Sequence, residues 1–350
     1  MIKLFRKIRY DLIEKNAPDQ PAGNMGKYLK YAIGEIVLVV IGILIALSLN
    51  TANERKNNTT KITNILKEIQ VDLEKDINRS AEIFDDYLIM DSIQEIILSK
   101  KYTVEDFKSG RAQMIGNWYE DFIIHTNGFD NLMRHLDNLP KKYKPLLTNL
   151  NKLYEILKTT LDVVNKRIRK TVYDNVTYLF NKPWARDYTL GIPNNEMIEY
   201  FLNDPHYEGL VINYFNDRAN VFSKSNDYKV EAVKTYKDIA MLIATDDNIP
   251  KTITLKNKDS IKEHNLIGTY RLRDSLGRIG VKKIKISQLK HHLYLIWNDD
   301  DDDDKFKLNW HKESIYFINS TILNFNKSDT LTLRAGFRNG IFVRDNNKPQ

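Results

Sequence analysis

Residues 31–49 read YAIGEIVLVVIGILIALSL, nineteen residues carrying a single charge. No other stretch so narrows what this chain can become. At 1.5 Å per residue such a helix is about 28 Å long, close to the hydrocarbon thickness of a bilayer. Its one charge, Glu35, lies a turn inside the first edge, where a carboxylate reaches the headgroups at far lower cost than at the midplane. Lys3, Arg6, Lys7, Arg9, Lys15, Lys27 and Lys30 precede the span, whereas Arg55, Lys56 and Lys61 are the basic residues soon after it. The positive-inside rule then keeps the N-terminus cytoplasmic and exports everything from residue 51 onward. The competing reading is a cleaved signal peptide, because Ala46 and Ser48 make a small-x-small site behind an apolar run. Gly34, Gly42 and Ala46 leave one helix face small enough for self-association through the span.

The net charge of +7 raises the question of nucleic acid, and its distribution answers it. The tail before the span holds +4 and the roughly 300 residues after it another +4, so the exported part is nearly balanced and no nucleic-acid partner is expected. Cysteine is absent, which removes disulfides, thiolate metal sites and cysteine nucleophiles together. Within the tail, Ile2, Phe5, Ile8 and Leu12 recur at helical intervals among basic residues, as in a short helix lying in the inner interface, and Pro18, Pro21 and Gly23 end it.

The stretch MIKLFRKIR followed by KYLKYAIGEIVLVVIGILIALSLNTANE resembles a family of flavobacterial membrane proteins, the domain of unknown function 6090 family. The resemblance covers about the first 60 residues and is strongest in YAIGEIVLVVIGILIAL; beyond it only the helical character and FDNLMRH look similar. Asn50 to Glu54 lacks the tryptophan that members often carry after the span. The resemblance implies a bacterial inner-membrane protein with a periplasmic C-terminus. It brings no activity and no catalytic residue.

After the span, Ile62, Ile65, Leu66, Ile69, Leu73, Ile77, Phe84 and Leu88 repeat at helical spacing, which predicts one amphipathic helix of about ten turns ending near Lys101. Thr103 and Asp106 have capping-box spacing, so a second helix is expected there; Gly110, Gly116 and Gly128 predict shorter pieces beyond it. A second stripe runs from Leu147 to Val172, and a final helix fits 206–245. Around residue 250 the period changes. A lysine-rich connector, Ile249 to Asn265, leads into seven short runs that read as strands: 268–273, 279–287, 292–298, 305–310, 314–319, 330–335 and 340–343. Phe306, Leu308 and Trp310 form one apolar face, while residues 293–297 are apolar on both faces. The opening Ile267 to Tyr270 is similar to small lipocalin-like β domains.

The fold class expected is therefore an α+β membrane protein: a single N-terminal transmembrane helix, an antiparallel helical-bundle ectodomain and a C-terminal small antiparallel β barrel or sandwich. Its divisions are a basic tail over 1–30, the span over 31–50, a helical part over 51–248, a linker over 249–265 and a β part over 266–345.

Chemistry is conspicuous by its lack of motifs. The seven histidines show no HExxH and no pair four apart, adjacent His291 and His292 point to opposite faces of a strand, and no phosphate loop, dinucleotide fingerprint or GxSxG occurs. No catalytic, cofactor-binding or metal residue is assigned, and no cofactor. Trp184 and Trp118-Tyr119 read as packing rather than pocket lining. Asp299 to Asp304 reads as a solvated hairpin loop rather than a calcium site, since it has no glycine to fold it around an ion. The expected partners are the lipid bilayer and either a protein or a second copy through the span. Two functions fit: an interaction or scaffold module, or a ligand sensor signalling through a partner. A hydrolase with an unrecognised site is the third.

Overall fold

The computed structural model describes residues 25–110, 115–245, 248–256, 263–277, 279–290, 292–297, 305–327, 329–336 and 338–345. The expectations for the tail before residue 25, and for Asp299 to Asp304, lie outside these residues. The chain forms two compact units, 1–60 and 61–350.

In the first unit the apolar run is helical, and Ile33, Ile36, Val37, Val39, Ile43, Leu44, Leu47 and Leu49 all expose their side chains. Among the described residues one helix is long and apolar enough to cross a membrane. Its run continues without a break into the amphipathic stretch, so the two predicted helices are one element, α1, Met25–Leu98. Residues 53–61 are polar but hold neither glycine nor proline, and nothing there stops a helix.

The second unit holds the remaining helices and the sheet. The Thr103 hydroxyl and the Asp106 carboxylate cap each other's backbone as predicted, although the helix they open, α2, is only Val104–Lys108. After α3 (Asn127–Met133), the stripe beyond Pro145 forms α4 (Leu146–Asn151), a π-helical stretch Lys152–Leu157 and α5 (Lys158–Phe180). The wide π turn allows neighbouring Leu153 and Tyr154 both to be buried. Short α6 (Ala185–Leu190) and α7 (Asn195–Asn203) lead to α8, Pro205–Leu242, which Asp204 caps.

Side-chain ties fix the directions of the long helices. Gln70 bonds to Tyr236 and Ser80 to Ser225, so α1 and α8 run opposite ways; Asn149 bonds to Asp238 and Thr171 to Asp217, so α4–α5 also opposes α8. It follows that α1 and α4–α5 run the same way, and the bundle is mixed rather than antiparallel throughout. Residues 99–145 return the chain to the starting end, a path that helical periodicity cannot reveal. Two apolar cores result: one joins Ile62–Ile77 to Leu146–Leu161 and Tyr228–Ile239, the other joins Ile97 to Ile168–Leu179 and Tyr200–Val221. Trp184 packs in the second, as expected for structural tryptophan, whereas Trp118 is exposed.

Among the described residues the sheet has nine antiparallel strands: β1 Gly268–Leu276, β2 Lys283–Leu289, β3 His292–Ile296, β4 Lys305–Lys307, β5 Asn309–Lys312, β6 Ile315–Ile318, β7 Thr321–Lys327, β8 Thr330–Ala335 and β9 Arg338–Arg344. Their order is β4-β3-β2-β1-β9-β8-β7-β6-β5. The two ends of that order, β4 and β5, are separated in sequence by Leu308 alone. They are halves of one bent strand, and Leu308 N–H donates to Leu293 O at the bend. The sheet is thus a nearly closed up-and-down barrel, the barrel alternative of the expectation. The predicted single run 305–310 accordingly breaks at Leu308, which points inward while Phe306 is exposed. Residues Tyr270, Ile286, Leu293, Leu295, Tyr316, Leu323, Phe325, Leu331 and Phe342, with others, fill the interior. The strand that sequence reading missed is β7. Its Ile322 and Leu323 are both buried, one outside the barrel and one inside, and that pairing erases the alternation a strand normally shows.

Candidate functional site

The outer face of β6 and β7 supplies Ile315, Phe317 and Ile322 to a fourth apolar cluster, completed by Phe84, Tyr87 and Phe222 from α1 and α8. The doubly apolar run at 315–318 is explained by this seam: Tyr316 faces the barrel interior while its neighbours face the helices. Full burial of each such side chain is worth about 1.5–3 kcal/mol, so the seam joins barrel and helices firmly.

Along the seam lies a line of polar groups, all answering to α1. The His311 ring stacks on Phe84 with centroids 3.8 Å apart, and its Nε2 faces Asp85 Oδ1 at 2.8 Å. Lys312 Nζ reaches the same oxygen at 2.6 Å. Further along, Arg334 pairs with Asp91 and stands 3.6 Å from Glu95, which also accepts from Asn339 Nδ2 at 3.1 Å. Opposite His311, α8 buries Lys229, of which only 4% is exposed. Burial lowers the His311 pKa to about 4 against the pull of Asp85, so the imidazole is neutral at pH 7, with Nε2–H donating and a buried Nδ1 that has no hydrogen-bond partner among the described residues. Burial would raise the Asp85 carboxyl, but the bonds from His311 and Lys312 outweigh it and hold the group below its ordinary range. Burial likewise lowers Lys229 to about 8, with Asp85 opposing.

A lysine that burial lowers from its ordinary 10.5 to about 8 destabilises the fold while charged. The unfolded chain binds the extra proton between pH 8 and 10.5, so stability rises with pH across that window, by about 3 kcal/mol. Lys229→Met is therefore expected to stabilise the protein by about 3 kcal/mol at pH 7 and to flatten this alkaline rise. Denaturant titrations at pH 7 and pH 10 check it; a destabilised Lys229→Met protein would mean that the ammonium has a partner worth more than its burial costs.

A second polar cluster lies within the bundle. Asp76, fully buried on α1, accepts from His125 Nδ1 at 2.6 Å, from Tyr228 Oη at 2.8 Å and from the His125 backbone N–H. One turn earlier, Asp72 accepts from Gly128 N–H at 2.9 Å. That glycine admits no side chain, since a Cβ there would stand 2.6 Å from Ile69 N. A buried carboxylate orienting a histidine whose side chain is 44% exposed has the geometry of a general base. Yet among the described residues no hydroxyl or amine bonds to the outer His125 nitrogen, and Ser80 donates its hydroxyl to Ser225 O instead. The pair acts as a staple holding the loop before α3 against α1.

A surface hollow of about 130 Å³ opens between the end of α1 and the start of α8, with Ile97, Tyr102, Phe201 and Tyr207 in its wall and the Lys100–Glu208 pair at its rim. At the mouth of the barrel, buried Glu263 meets Tyr316 Oη at 3.4 Å, and burial raises its carboxyl pKa. Among the described residues no three metal-ligating side chains come together.

No family model, curated protein or solved structure matches this chain. Its seam and its staple therefore rest on their own geometry. Sequence reading assigned none of these residues. The available signal was position: Ser80 and Asp91 fall where the stripe through Leu73, Ile77 and Phe84 calls for apolar side chains, and a polar residue on a buried stripe has a partner somewhere.

Proposed function

We propose that this chain is a bacterial inner-membrane protein, anchored once with its N-terminus in the cytoplasm, whose exported part is an interaction module that holds a partner near the membrane. Support for the anchor comes from the exposed apolar helix, from the basic residues before it and from the resemblance to the domain of unknown function 6090 family. The observation that carries the module reading is the filled interior of the barrel: a barrel packed with its own side chains offers an outer surface rather than a ligand chamber. A sensor signalling through a partner is the second reading, and the observation in its favour is the buried ionisable seam between barrel and helices.

Reporter fusions after residue 60 are expected to be exported, and in-membrane crosslinking of the full chain is expected to recover one protein in stoichiometric amount. A soluble form beginning near Leu49 would defeat the anchor. Recovery that depends on an added small molecule would favour the sensor.

A further inference from the structure

The seam has the composition of a switch. His311 sits on it with two ammonium groups nearby, Lys229 from α8 and Lys312 from its own strand, and a single carboxylate, Asp85 from α1. Phe84 covers the ring face, and the inner Nδ1 is buried with no group among the described residues to accept a hydrogen bond from it. While the barrel is docked, a proton on His311, whose side chain is only 3% exposed, would add a third cation beside one anion. Undocked, the imidazole would be hydrated and free to take that proton. Barrel and bundle each have a core of their own, so the seam can open without either unfolding.

We propose that Asp85, His311, Lys229 and Lys312 form an acid-operated latch, which weakens the docking of the barrel on the helices when His311 is protonated. The inference rests on the seam alone and stands whether or not the chain is membrane-anchored. The direction follows from linkage: a histidine held below its ordinary 6.5 makes the docked state lose ground as pH falls from 6.5. With the open imidazole half-protonated at pH 6.5 and the docked one half-protonated near pH 4, opening is favoured about 80-fold more at pH 4 than at pH 6.5. The next charges along the seam, Asp91, Arg334 and Glu95, form a separate pair-and-bridge that does not touch His311.

Because the chain has no cysteine, opening can be read at single introduced thiols in the full chain, with a pyridyl disulfide that reacts in acid. Ile322→Cys reports the seam, Ala240→Cys the bundle core and Leu333→Cys the barrel interior. After correction for intrinsic thiol reactivity, labelling at residue 322 is expected to rise about 80-fold from pH 6.5 to pH 4 while the two core positions stay protected, and His311→Gln is expected to abolish the rise. Equal acceleration at all three positions would be global acid unfolding and would overturn the latch, as would a flat response at residue 322. Should His311→Gln fail to fold, the comparison of seam with cores in the His311 protein still decides.

Discussion

Phe84→Ala is expected to remove about 3–5 kcal/mol from the stability of the full chain in detergent. Phe84 meets aromatic rings from both α8 and the barrel. Its ring stacks on His311, meets Phe222 edge-on at 4.8 Å and lies 5.4 Å from Phe317, with no exposed surface. Truncation opens a cavity between two elements that cannot both collapse into it, because α1 is held by the bundle on its other face. Ile89→Ala on the same helix, at a position more than half exposed, is the control and should fall within about 0.5 kcal/mol of the parent. Denaturant melts of the two variants decide; a loss below about 1 kcal/mol for Phe84→Ala would show that barrel and helices meet loosely.

Asp76→Ala should be as damaging for a different reason. The carboxylate is fully buried and receives donors from His125 and Tyr228, so its removal leaves a buried hydroxyl and a backbone N–H without acceptors. Breaking a buried polar cluster from one side costs about 3–5 kcal/mol. Tyr228→Phe takes away one donor and no acceptor, and about 1 kcal/mol is expected. If the two substitutions cost the same by denaturant titration, Asp76 is not the centre of the staple. The loop before α3 should also gain hydrogen-exchange lability in Asp76→Ala alone, since Asp76 and Asp72 are what tie it to α1.

Features decided within a few residues were readable from the sequence. The stripes of α1 and α8, the mutual cap at Thr103 and Asp106, and most of the strands come from periodicity and local hydrogen bonding, which act over one or two turns. The change of period near residue 250 located the β part for the same reason. Pairings between distant segments escaped it. Parallel running of α1 and α5 depends on the path of residues 99–145, where glycines and short helices leave many routes open. β7 escaped because Ile322 serves the seam and Leu323 the barrel, so tertiary contact rather than alternation placed them. The polar sites escaped for a further reason. Asp85 and His311 are 226 residues apart, and each alone is an ordinary surface residue type. The metal and nucleophile patterns that sequence reading tests are short-range patterns, and the Asp85–His311 pairing is not.

The pairing of β1 with β9 has one more consequence. Tyr270 lies opposite Arg344, so the polypeptide enters and leaves the barrel on one rim, side by side. A module threaded in this way is a cassette. It can be spliced into a longer chain, or lifted out of one, at a single place without rerouting what comes before or after, and its natural ends can be joined while new ones are opened at a hairpin.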